Sequence, residues 1–201
     1  MPNYIDNNTQ IPAARVKMND DATGFVNRPW YRWFFNTYQA VEAGRRYGSF
    51  YSTQTQTAAL ANTPYAMTFN TTTTNAQDTD LTYGVYTSLP NSRVYVDNTS
   101  TYNIQFSAQF ISANASSKDV HVWLSVNGVN VPDSATKITL AGASNAYVAS
   151  WNFVVSLTAG DYFELYWQTT NTNVSILAAT ASGHIPAIPS VILTVTSIVG
   201  G

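Results

Sequence analysis

Catalysis by side chains needs paired titratable groups, or a nucleophile with a base in reach. The 201-residue sequence offers few of either. Its two histidines are His121, inside a strand pattern, and His184, in a Gly183-His184-Ile185-Pro186 loop. There is no cysteine, which removes disulfides, thiol chemistry and zinc–thiolate sites. Asp161 and Glu164 follow the Gly160 turn at a spacing that puts them on opposite faces of a strand, so they make no acid–base dyad. Asp161 reads instead as a turn residue that accepts backbone hydrogen bonds. Asp78 with Asp80, or Asp97 with Asn98, could offer oxygens to calcium, although no acidic loop has EF-hand spacing. Sequence places no two facing carboxylates of the kind glycoside hydrolysis needs. The expectation is a protein that is not an enzyme and has no cofactor or metal.

The aromatic residues carry more information. Trp123 lies on the His121 side of its strand, opposite the apolar series Val120, Val122 and Leu124. Tyr95, Tyr147, Tyr162 and Tyr166 are similarly placed. Such a face suits contact between subunits, or a platform for sugar rings flanked by Asn and Gln amides. Trp151 and Trp167 can equally be core residues of a strand buried on both sides.

The elements that would carry these residues divide near Arg46. Residues 1–46 hold six basic and four acidic side chains, whereas the rest of the chain holds three basic ones (Arg93, Lys118, Lys137) and seven acidic. Residues 1–26 read as an extended arm in which Pro2, Pro12 and the Asn19–Gly24 turn resist regular structure. Isolated apolar residues on it, Ile11, Val16 and Met18, could be gripped by another surface. Residues 27–44 predict a helix, with Asn27 as N-cap, Pro29 in the first turn and Gly44 as stop. Trp30, Trp33, Phe34, Tyr38 and Val41 form one apolar stripe, widened by Tyr31 and Phe35. A lone helix of this length is marginal in water. It must dock on its own body, on sister subunits or on a partner.

From residue 47 onward the chain reads as eight to ten strands. Tyr102 to Phe110 alternates strictly, as does Val120 to Val126, and Asn127-Gly128 is a hairpin signal. Longer strands follow at 146–157 and 161–169, with 188–199 closing the body. No strand–helix–strand alternation occurs, so the predicted class is all-β, a double-sheet jelly roll over 47–201. Charged residues are only 10% of the chain, so burying surface between copies carries little electrostatic cost. The net charge of −2 and the scattered Arg15, Lys17, Arg28, Arg32, Arg45 and Arg46 give no concentrated basic face for nucleic acid. The N-terminus lacks a signal-peptide pattern, and no apolar run reaches the length of a membrane span.

Residues 92–110, 119–128 and 152–166 resemble the strand-and-turn pattern of complement C1q-like and tumour-necrosis-factor-like jelly rolls. The third of these is an apolar hairpin around Gly160-Asp161, carried by Val154, Leu157, Phe163 and Leu165. The closing strand, with Pro186 and Pro189, departs from the C1q form. Residues 11–36, 116–134 and 160–175 are similar to stretches of structural proteins of tailed bacteriophages. That resemblance implies a virion protein assembled in the bacterial cytoplasm, a homotrimeric capsid cement or decoration protein. The anchor would be the segment 1–46, attaching to the major capsid protein or another virion protein. Its contacts would be Ile11, Arg15, Val16, Arg28, Trp30, Trp33, Phe34 and Tyr38, with Lys17 and Arg32 also facing an acidic surface. The candidate trimer interface is Tyr95, His121, Trp123, Tyr162 and Tyr166. The alternative is a receptor-binding adhesin or fibre tip whose loops recognise host glycan.

Overall fold

The computed structural model describes residues 11–43, 46–74, 80–87 and 92–198. Pro2, Gly44, Arg45 and Asp78 lie outside these residues. The chain separates into two compact units that divide between residues 45 and 46.

The first unit contains helix α1, Arg28–Ala43. The described part of the expected arm, residues 11–26, is not extended, contrary to the sequence expectation. Asp20 accepts hydrogen bonds from the amides of Ala22 and Thr23, each 2.9 Å, and from the Thr23 hydroxyl. Gly24 takes a positive φ of 71°, and Asn19 pairs with Val26 in an antiparallel bridge. The turn-forming residues that resist helix and strand build a tight loop of their own. The loop is tied to the helix start. The Asn27 amide donates to the Met18 carbonyl (2.7 Å), its side chain to the Lys17 carbonyl (2.7 Å), and Trp30 Nε1 to the Val16 carbonyl (2.9 Å).

The second unit is a two-sheet antiparallel sandwich. One sheet, called here the plain sheet, contains β1 (Tyr47–Ser52), β2 (Gln56–Thr57), β4 (Thr71–Thr72), β5 (Thr82–Tyr83), β8 (Ser100–Ser112), β12 (Asn145–Leu157), β14 (Val174–Ile176) and β15 (Val191–Ile198). The other, the aromatic sheet, contains β3 (Tyr65–Ala66), β6 (Val85–Thr87), β7 (Val94–Val96), β9 (Lys118–Val126), β10 (Val129–Asn130), β11 (Thr136–Leu140) and β13 (Tyr162–Thr169). Among the longer strands the plain sheet runs β12-β8-β15-β1, and the aromatic sheet runs β11-β9-β13-β7. The chain crosses between the sheets from β7 to β8, β8 to β9, β11 to β12, β12 to β13 and β13 to β14, and the product is an all-β sandwich.

Alternation decides what faces inward. Tyr102, Ile104, Phe106, Ala108 and Phe110 of β8 are buried. They oppose Val120, Val122 and Leu124 of β9 and Phe163, Leu165 and Trp167 of β13, which are buried too. Trp167 is therefore a core residue, with its ring 5.7 Å from that of Phe110. Trp151 is half-buried at the sandwich edge, in a T-shaped contact with Phe106 at 4.7 Å. Arg46 belongs to this unit: its Nε pairs with Asp97 at 2.7 Å, and its amide and carbonyl both bond Ser197.

Candidate functional site: two aromatic surfaces

The residues with catalytic side chains are dispersed. His184 sits at the tip of an exposed hairpin, and His121 stands on the outer face of the aromatic sheet opposite Lys137 and Gln168. Among the described residues, no group of three or more His, Asp or Glu could hold a metal ion. Asp97 is engaged by Arg46. Asp161 is a turn residue, as its position predicts. It accepts from the Thr158 amide (2.7 Å) and from Asn127 Nδ2 (2.8 Å). The Asn127 bond first, and then the Thr158 amide, hold its carboxyl below the usual carboxylate range.

The register of β7, β9 and β13 brings the five predicted interface residues onto one face. Tyr162 is opposite Tyr95, Tyr166 opposite Trp123, and Gln168 opposite His121. Tyr95 and Tyr162 have ring centroids 5.5 Å apart, and Trp123 and Tyr166 stack at 5.8 Å. Tyr86 extends the row, stacked on Tyr95 at 5.5 Å. The Arg93 guanidinium lies 4.4 Å from the centre of the Tyr162 ring, a cation–π contact. All five predicted residues are partly covered by their neighbours.

A buried carboxylate lies among these rings. Glu164 is only 5% exposed although it is on the outer side of β13. It accepts a hydrogen bond from the Ser92 hydroxyl at 2.8 Å, and Arg93 stands 4.0 Å away. Burial, and secondarily the Glu164 charge, hold the Tyr166 phenol above its usual value. Sequence reasoning left Glu164, Ser92, Arg93 and Tyr86 out of this face. Alternation groups Glu164 with Tyr162 and Tyr166, and Arg93 with Tyr95, but it does not place Ser92, and which strand neighbours which is not written locally. Trp123 Nε1 donates to Asn130 Oδ1 at 2.9 Å.

The second surface is helix α1. Trp30, Trp33 and Phe34 form one ring cluster, with centroid separations of 5.2–6.1 Å. Tyr31 and Phe35, one turn apart, stack on each other at 6.3 Å. Trp30 and Trp33 are half-buried. Phe34, Phe35, Tyr38 and Val41 remain 45–60% exposed, and Ile11 is 68% exposed. Val16 is half-buried and holds Trp30 through its carbonyl. Arg15, Arg28 and Arg32 are exposed. Lys17 is exposed too and pairs with Asp21 four residues on. No helix among the described residues is long and apolar enough to cross a membrane.

No family model matches this sequence, and no curated protein matches it.

Proposed function

We propose that the chain is a non-enzymatic virion structural protein of the cement or decoration type. Its N-terminal unit attaches to the major capsid protein or another virion protein, and its sandwich is presented as a homotrimer. The observation that carries this reading is helix α1, a four-turn element whose aromatic residues remain largely exposed. Contiguous apolar surface of this kind marks an interaction site. Arg15, Arg28 and Arg32, exposed nearby in sequence, suit a partner with acidic side chains. The resemblance to tailed-phage structural proteins supplies the identity of that partner. The test is retention on particles. The full chain should co-purify with virions from its source, in copy numbers divisible by three, and a chain lacking residues 1–45 should fold yet be lost from them. Particles that keep the truncated chain would refute the anchor.

A second reading, a glycan-binding adhesin, is favoured by the aromatic sheet's outer face. There the tyrosine and tryptophan rings stand beside the Asn127, Asn130 and Gln168 amides. Binding of host surface polysaccharide that is lost in Trp123→Ala would support it. Full binding by that variant would remove this face from consideration.

A further inference from the structure

The outer face of the plain sheet differs in kind from the aromatic one. Its rows read Val154-Asn103-Thr196-Tyr47, Asn152-Gln105-Thr194-Ser49 and Ser150-Ser107-Ile192-Tyr51 across β12, β8, β15 and β1. No Asp, Glu, Lys or Arg stands in these rows. Val154 is 61% exposed and Ile192 41%. The sheet ends on β12, 13 residues long and paired, among the described residues, with β8 alone. Its sequence, NAYVASWNFVVSL, contains neither charge nor proline. Chains blunt such edges with Lys, Pro or bulges, or cover them. Here the first three devices are absent, so a cover is required.

A hairpin rises beside this face. Residues 178–189 leave the sheet at Gln109, whose backbone bonds Leu177 and Ser190 and whose outward side chain donates to the Pro189 carbonyl at 2.9 Å. Two antiparallel bridges, Ala179–Ile188 and Ser182–Ile185, shape it. Every residue from Ala179 to Ile188 is exposed, and none is acidic, Lys or Arg. Ile185 near its tip is 62% exposed. A formed hairpin that shows an isoleucine to water buries little within its own chain. At its foot, between Ile188, Pro189 and the sheet residues Tyr51 and Thr53, opens a groove of about 520 Å³.

We propose that this face is where copies of the chain meet, with the hairpin of one copy laid on the uncharged sheet and groove of the next. The inference rests on the homotrimeric reading above, and it assigns the contact to the plain sheet in place of Tyr95, His121, Trp123, Tyr162 and Tyr166. A second copy fits better than a foreign partner because the face offers no charge to select one, while two uncharged faces meet without repulsion. Four strands spaced by about 4.8 Å, over rows that span about 20 Å along them, give a face of roughly 400 Å² before the hairpin is added. With the hairpin it approaches the roughly 800 Å² per partner of a standard interface.

The test is the mass of the full chain by sedimentation over a micromolar dilution series. Val154→Lys with Thr194→Lys puts like charges on solvent-facing positions, and should weaken association by about a hundredfold. Joining Ala179 to Ile188 by two glycines removes the clasp and should also weaken it. Trp123→Lys on the other sheet should leave the mass unchanged. Amide exchange along β12 should slow as the chain associates, a readout that needs no variant. A wild-type oligomer unaffected by both plain-sheet changes, with β12 unprotected, would overturn the assignment and leave the oligomer standing. Dissociation by Trp123→Lys alone would return the contact to the aromatic sheet. A wild-type monomer would end both this inference and the trimer.

Discussion

Single side chains set the pH behaviour of the sandwich. Tyr102 is fully buried, and its hydroxyl donates to the Asn98 carbonyl at 2.8 Å. Burial, with the Asp97 charge adding to it, pushes its pKa up to about 12. The unfolded phenol titrates near 10. Between those values the folded chain keeps a proton that the unfolded chain loses, so stability is whole below about pH 10 and falls as pH rises towards 12. Tyr102→Phe should cost about 1 kcal/mol at neutral pH through the lost hydrogen bond. It should also lose less stability than the parent between about pH 9 and about pH 11. Urea unfolding at the two pH values measures both effects, and equal slopes would show that the Tyr102 hydroxyl has the same pKa in the folded and the unfolded chain. The role of Asp161 was legible because its partners lie in the adjoining hairpin turns. The pairing of Glu164 with Ser92 was not, because it spans 72 positions and depends on the β7–β13 register.

Elements whose signals are local form where the sequence puts them. Asn127 and Gly128 both take positive φ, 51° and 78°, as a type I′ hairpin requires. The long alternating strands and α1 also lie at their expected places. β2 and β4, by contrast, are only two residues long, Gln56–Thr57 and Thr71–Thr72. Such two-residue strands exist only because a neighbour supplies the hydrogen bonds. Gly84 marks another element whose need is set from afar. It adopts a φ of 69°, and a Cβ there would fall on Arg46 Cδ and Asp97 Oδ1. Gly84→Ala should destabilise the sandwich by about 1–3 kcal/mol, from the left-handed backbone and the displaced ion pair together. Thermal unfolding checks this; a melting temperature equal to the parent's would show that the pair moves without cost.

At the scale of the molecule, the break in composition and the division into units nearly coincide. Arg46 falls with the sandwich because its backbone and guanidinium are bonded there. Among the described residues the buried core is drawn from residues 50–195. Residues 46–201 alone should therefore unfold cooperatively, within about 1 kcal/mol of the full chain. Chemical denaturation of the two chains side by side tests it, and a loss of several kcal/mol would mean that the N-terminal unit contributes to the core's stability. Residue order alone established the all-β class, the single aromatic helix and the inward faces of β8, β9 and β13, because alternation and helical spacing are local and repeat within each element. Strand neighbours, the gathering of Tyr95, Trp123, Tyr162 and Tyr166 around Glu164, and the uncharged sheet ending on β12 came only from the folded chain. They depend on pairings between distant strands, and many such pairings are compatible with the same alternating pattern.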